Sequence, residues 1–263
     1  YNYNYNFVWY CGVYLRMTLN IIGIGLSTEK DITVKGLELV KKSDKVYLEN
    51  YTSLLQCSKE DLEQFYGKKI ILADRELTES GAEKIVEKAK TEEVSFLVVG
   101  DPLSATTHIE LFKLAKEKNI PVKVVHNASI LTAVGSTGLQ LYKFGKVTSI
   151  PFIEDHPNLK TPYTVLQENQ KMGLHTLFLL DLKPEQNKFM TVSEALKILQ
   201  GIGKVNNIVI GCARLGGDDA LIKAGNVEEV KKFDFGKAPH CLIIPGKMHF
   251  VEEEMVELWK KTS

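Results

Sequence analysis

The chain has 263 residues, enough for two modest domains or one large one, and its 44% hydrophobic and 25% charged residues describe a globular protein with a real core. Its 33 basic residues cancel its 33 acidic ones, which argues against a general nucleic-acid or membrane-surface binder while leaving a local basic patch open. No apolar run approaches the roughly 20 residues needed to span a bilayer.

The first sixteen residues, YNYNYNFVWYCGVYLR, differ from the rest. They hold a Tyr-Asn repeat and an apolar stretch over Phe7–Leu15 that lacks the basic flank of a signal peptide. They read as an extension upstream of a start at Met17, or as a cloning remnant, and are expected to be disordered or loosely attached. From Met17 the pattern changes at once. Leu19–Ile24 reads as a strand ended by Gly23 and Gly25. A helix over Thr33–Ser43 follows, capped by Asp31 or Thr33. Val46–Glu49 is strand-like, and Ser58 opens an S-K-E-D capping box for a helix to Tyr66. Then come a strand at Lys69–Leu72, a helix over Ser80–Lys90, a strand at Val94–Val99, a helix over Ile109–Lys118 and a strand at Val122–His126. A helix dotted with Gly and Ser spans Ser129–Thr137.

The rhythm breaks near Tyr142–Lys146, which divides the chain into an N-terminal α/β domain, 17–146, and a C-terminal α/β domain, 147–263. The second half predicts strands at Val147–Phe152, Thr176–Leu180, Ile208–Cys212, Ala220–Gly225 and Cys241–Ile244. Its helices are expected over Tyr163–Met172, Val192–Leu199 and Val251–Lys260. Strand–helix alternation argues for a parallel sheet.

The most informative stretch is VSFLVVGDPLSATTH, Val94–His108. A buried apolar strand stops at Gly-Asp-Pro, and ligands of open α/β sheets bind just beyond such strand ends. Pro102 holds Asp101 out of the helical region, on a stiff loop. The glycine pair of IIGIGLSTEK lacks the third glycine of a dinucleotide fingerprint, so a turn bringing Leu26 against a flat ligand ring suits it better than a phosphate cradle. HNASILTAVGSTGL offers small residues, and Ser129, for close backbone approach. In the second half Asp181 ends a strand, Arg214 sits on a turn after one, and His240 precedes one. Each of these alone has an ordinary structural reading.

The four cysteines form no CxxC pair, and reduced thiols are expected. The six histidines show no ligand spacing, so no catalytic metal is expected. Phosphate-loop, GxSxG and HExxH motifs are absent from the sequence.

Taken together, IIGIGLSTEKDITVKGLELV, VYLENYTSLL, FLVVGDPLSATTHIEL, HNASILTAVGSTGLQLYKFGK, GLHTLFLLDLK and PHCLIIPGKMH closely resemble the diphthine synthase family of the tetrapyrrole methylase superfamily. The resemblance implies two α/β domains with S-adenosylmethionine in the cleft between them and a homodimer, while cysteine usage and charge balance lead to the expectation of a cytoplasmic protein with no nucleic acid or membrane as partner. It implies a protein substrate, translation elongation factor 2. There a histidine already bearing a 3-amino-3-carboxypropyl group would be methylated to diphthine, or to its methyl ester by a fourth transfer. Carried over residue by residue, it implies cofactor contacts at Leu26, Asp101, Ser104, Ser129, Ile130, Leu180, Leu215 and His240.

Methyl transfer from a sulfonium demands alignment and an unprotonated amine. His108, Asp101 and Asp181 are the candidate proton acceptors, beside a water relay. Asp101 also suits a cofactor anchor through charge-assisted hydrogen bonds. The rival readings are a corrinoid or ribosomal-RNA ribose methylase of the same superfamily, and a module that binds the cofactor without catalysis.

Overall fold

A computed structural model describes residues 17–51, 53–74, 76–104, 108–205 and 208–261. The expectation for residues 1–16 lies outside them. The chain forms two compact units: the first takes residues up to Gly25, Glu29–Asn50 and Cys57–Asn127, and the second takes Leu26–Thr28, Tyr51–Gln56 and Ala128–Ser263.

The first unit is built on five parallel strands in the order β3-β2-β4-β1-β5. These are β1 (Leu19–Gly23), β2 (Lys45–Glu49), β3 (Ile70–Ala73), β4 (Val94–Val98) and β5 (Val122–Val125). Every residue of β1 and β4 is buried, whereas the edge strands β3 and β5 are half exposed. Burial on both faces explains why these two strands read as largely apolar, each broken by one buried polar residue, Asn20 or Ser95. Ile21 and Phe96 face each other across the sheet and pack with Ile85, Val86, Leu111 and Ala115 from the helices.

The helices are α1 (Val34–Lys42), α2 (Lys59–Tyr66), α3 (Ala82–Lys88) and α4 (Ile109–Glu117). Thr33 caps α1, its side chain accepting from the Gly36 amide at 3.1 Å. Ser58 and Asp61 close the expected capping box on α2, and Gly67, at φ 68°, ends it. The helix expected over Ser80–Lys90 is α3, and a π turn over Glu76–Ser80 precedes it.

Sheet order fixes where this unit can bind a ligand. From β1 the chain runs past β4 to β2; from β4 it runs the other way, past β1, to β5. Right-handed crossovers in opposite directions send their helices to opposite faces. Accordingly α1 packs with α2, and α3 with α4. The loops leaving the adjacent strands β1 and β4 therefore diverge and form a topological switch point, the usual place for a ligand in such sheets.

The second unit has a mixed sheet, β11-β10-β12-β7-β6. Its strands are β6 (Thr148–Ile150), β7 (Thr176–Leu180), β10 (Val209–Ala213), β11 (Leu221–Gly225) and β12 (His240–Ile244), and a small hairpin joins β8 (Leu182–Lys183) to β9 (Lys188–Phe189). Of the main-sheet pairings only β6–β7 is parallel. The parallel sheet expected from strand–helix alternation thus holds for the first unit and not for the second. The connection from β10 to β11 covers Arg214–Ala220, shorter than the dozen or so residues a parallel crossover requires.

Side chains alternate between two apolar layers. Phe178, Leu180, Val209, Leu242 and Ile244 face α6 (Thr161–Lys171), α7 (Val192–Ile202) and α8 (Val227–Lys232). Leu177, Ile210, Cys212, Cys241 and Ile243 face α5 (Ile130–Ala133) and α9 (Phe250–Lys260). Val134 and Leu139 join the second layer, so this unit takes in Ala128–Lys146 as well as the region expected from Val147 onward. Cys57, Cys212 and Cys241 are free thiols.

Candidate functional site

In the first unit the switch point is shaped by glycine. Gly25 and Gly100 have φ of 85° and 82°, a region that L side chains rarely adopt, and they form an antiparallel bridge in which the Gly100 amide donates to the Gly25 carbonyl at 2.7 Å. The bridge ties the end of β1 to the loop that begins with Asp101.

The Asp101 carboxylate is 7% exposed and accepts four hydrogen bonds. Oδ1 takes the Leu103 amide and the Ser104 hydroxyl, each at 3.0 Å. Oδ2 takes His126 Nδ1 at 2.7 Å and the Asn127 amide at 3.2 Å. Burial pushes this carboxyl up, and the hydrogen bonds from Leu103, His126, Asn127 and Ser104 more than reverse it, leaving it below its ordinary value. A carboxylate offers about four acceptor positions, and all four are filled. Asp101 therefore builds the loop.

Asn127 completes the frame. Its side-chain amide donates to the carbonyls of Gly23 and Asp31, both at 3.0 Å. His108, the second candidate acceptor, is 1% exposed beside Phe96, and burial lowers its pKa to about 4. The third, Asp181, lies in the second unit. It accepts from the Phe152 amide at 3.2 Å and the Leu182 amide at 3.0 Å, tying the end of β6 to the start of β8.

The second unit gathers several expected residues. A Cβ on Gly216, at φ 96°, would sit 2.9 Å from the Leu26 Cβ, so Leu26 lies directly against the turn that carries Leu215. Leu215 is buried in the same apolar layer that Ile130 packs against. Ser129 is buried and caps α5, its hydroxyl accepting from the Leu131 amide at 3.2 Å. Leu180 stands apart, its side chain being in the opposite apolar layer with Ile150 and Phe178.

Arg214, which sequence reasoning left as a turn residue, organises the neighbourhood of His240. It is 7% exposed, donates through Nε to Asp219 at 2.6 Å and through Nη1 to the carbonyls of Phe235 and Lys237, and its amide bonds to the Pro239 carbonyl at 2.8 Å. Gln56 braces the same segment from Ala238, and its amide reaches the Ser27 carbonyl at 2.7 Å. His240 is 9% exposed, and its Nε2 donates to the Lys237 carbonyl at 3.1 Å. Burial is the larger influence on this imidazole and lowers its pKa, so the ring is neutral and Nδ1 is an acceptor. That buried Nδ1 has no hydrogen-bond partner among the described residues. A buried acceptor left unpaired costs about 1–3 kcal/mol, which a bound ligand carrying an N–H or O–H would recover.

A family model described as Tetrapyrrole (Corrin/Porphyrin) Methylases matches residues 18–231. The chain is similar to the diphthine methyl ester synthase of Dictyostelium discoideum, 44% identical over 93% of this chain and 98% of that one. It is also similar to the diphthine synthase of Methanocaldococcus jannaschii, 42% identical over 91% and 97%.

The chain belongs to the tetrapyrrole methylase family, in its diphthine synthase branch.

As a member of this family it is a methyltransferase, as the motifs led one to expect. A crystal structure of diphthine synthase superposes with a TM-score of 0.87 at 37% identity, covering 92% of this chain and 95% of that one. A putative diphthine synthase from Entamoeba histolytica gives 0.84 at 40% identity, covering 94% and 100%. The tetrapyrrole methylase fold expected from the sequence is therefore the one found. Within the second unit the residues present suit a nucleoside-bearing cofactor: an orphaned buried acceptor at His240 and apolar side chains at Leu26, Ile130 and Leu215.

Proposed function

We propose that this chain transfers methyl groups from S-adenosylmethionine to the amino nitrogen of a 3-amino-3-carboxypropyl-histidine on elongation factor 2. A fourth transfer to the carboxylate gives diphthine methyl ester, a reading supported by four curated relatives at 43–44% identity that carry that name, one of them as probable. The single observation carrying the proposal is full-length similarity to diphthine synthases combined with a switch-point loop whose Asp101 is wholly given to positioning.

The cofactor supplies an activated methyl on sulfur. The chain's own residues align it and exclude water. Asp101 and Ser104 in the first unit would set the loop backbone against it. In the second unit Leu26, Ile130 and Leu215 would contact the flat base, His240 Nδ1 would accept from one of its donors, and Ser129 and Leu180 would contribute backbone contacts. The functional form is a homodimer in the cytoplasm. No helix among the described residues is long and apolar enough to cross a membrane.

Labelled S-adenosylmethionine, offered with elongation factor 2 from a strain blocked at this step, should deliver label to the factor. Label transferred instead to ribosomal RNA or to a corrinoid ring would favour the sibling methylases. Cofactor binding without transfer to any of the three would leave a binding module.

A further inference from the structure

Of the three candidate proton acceptors named from the sequence, Asp101 is filled by four donors, His108 is buried, and Asp181, held by two amides, lies in the second unit. A fourth group stands at the same switch point. His126 follows β5, which flanks β1 on the side opposite β4. Its side chain is 69% exposed, and its Nδ1 lies 2.7 Å from Asp101 Oδ2. An ionised carboxylate only accepts, so Nδ1 carries the hydrogen. In the neutral ring Nε2 is then a basic lone pair. The backbone amide of Asn127 and the loop of Leu103 and Ser104 fix the carboxylate from its other sides, so the ring is oriented by a rigid partner.

We propose that His126 is the proton acceptor for amine methylation and that Asp101 is its positioning residue. The inference rests on the methyltransferase reading above. In each of the three N-transfers Nε2 takes one proton from the substrate ammonium. The freed nitrogen lone pair forms the new C–N bond, the C–S bond breaks, and its electron pair stays on sulfur, leaving a neutral thioether. The exposed ring then passes its proton to water before the next cycle. After the third methyl the nitrogen is quaternary and has no proton to give. Transfer to the carboxylate, which is already ionised at neutral pH, needs no base. His126 therefore serves the amine steps and not the ester step. Asp101 is the charged group paired with the ring, and the other titratable groups tied to this loop are Asp31, whose carbonyl holds Asn127, and His108.

The test is His126→Asn, whose amide nitrogen can still donate to Asp101, alongside His126→Gly. On substrate bearing the free amine, His126→Asn should lower kcat about 10²–10⁴-fold, the usual worth of a general base, with KM little changed. Imidazole added to His126→Gly should restore part of the rate. On substrate already trimethylated, the fourth transfer should lose far less rate than the amine steps. Wild-type rates for His126→Asn on the amine would overturn the proposal while leaving the methyltransferase reading intact. Equal loss of the amine and ester steps would also overturn it, since that marks a structural role. If the wild-type chain transfers no methyl, the underlying reading fails instead.

Discussion

Among the described residues two carboxylate–histidine pairs of nearly the same make-up stand in different settings. In the first unit Asp101 accepts four hydrogen bonds, one from His126. In the second, Glu252 of α9 also accepts four: from the Gln140 amide at 2.8 Å, His175 Nε2 at 3.0 Å, the His249 amide at 2.6 Å and Lys143 Nζ. His175 and Glu252 are wholly buried, and His175 Nδ1 is in turn satisfied by the Gly246 amide at 3.0 Å. That network is closed. It pins the start of α9 to the turns after α5 and to the strand β7, and it leaves no group for chemistry. The Asp101 network is open at one edge, because the imidazole it holds is exposed. Saturating a carboxylate makes it a brace; what the braced histidine still shows to solvent decides whether the brace serves stability or function.

The largest effect should come from breaking the closed network. Glu252→Ala leaves buried His175 and half-buried Lys143 without their acceptor, and stability should fall by about 3–5 kcal/mol, measured by urea unfolding. A loss below about 1 kcal/mol would show that the network is not load-sharing as described.

The next is its pH signature. Burial alone would raise the Glu252 carboxyl, but hydrogen bonds from Lys143, Gln140, His249 and His175 bring it down to about 2. Its folded pKa lies below the ordinary 4.5. Its stabilisation is therefore full above pH 4.5 and is lost as pH falls toward 2, with a size of about 3 kcal/mol. Unfolding curves from pH 6 to pH 2 should show that slope in the wild type and lack it in Glu252→Ala.

Opening the other network should act on ligand rather than on the fold. Asp101→Asn turns one acceptor oxygen into a donor among four donors. S-adenosylhomocysteine affinity should drop by about 1–3 kcal/mol, read by calorimetry, while the melting temperature moves less than in Glu252→Ala. The smallest effect belongs to His240→Leu. It should weaken the same ligand by about 0.5–1.5 kcal/mol, one hydrogen bond's worth; in the ligand-free protein relief of the unpaired Nδ1 offsets part of the lost Nε2 bond to Lys237, so stability should fall by less than about 1 kcal/mol.

Much of this was legible from the residues. β1 and β4 announce themselves because both faces are buried, and the Ser58 box and the Thr33 cap are local signals spanning three residues. Strand direction in the second unit was not legible. Apolar layers on both faces of that sheet erase the period that would separate its strands, and the short turn from β10 to β11 carries the decisive constraint. Asp101 was found as a residue but not as a role. Its partner His126 lies 25 positions away, and the signal available was an Asp after one strand and His-Asn after another, both flanking β1. Glu252 was invisible for the same reason, with partners 77 and 109 residues distant. Long-range hydrogen bonding leaves no periodicity to read.

The central claim is that the residues proposed as cofactor contacts bind an S-adenosyl ligand. Calorimetric titration of the wild-type chain, Asp101→Asn and His240→Leu with S-adenosylhomocysteine tests it most directly. The account predicts one site per chain in the wild type and weaker binding in both variants. Wild-type affinity in either variant, or no binding by the wild-type chain, would contradict it.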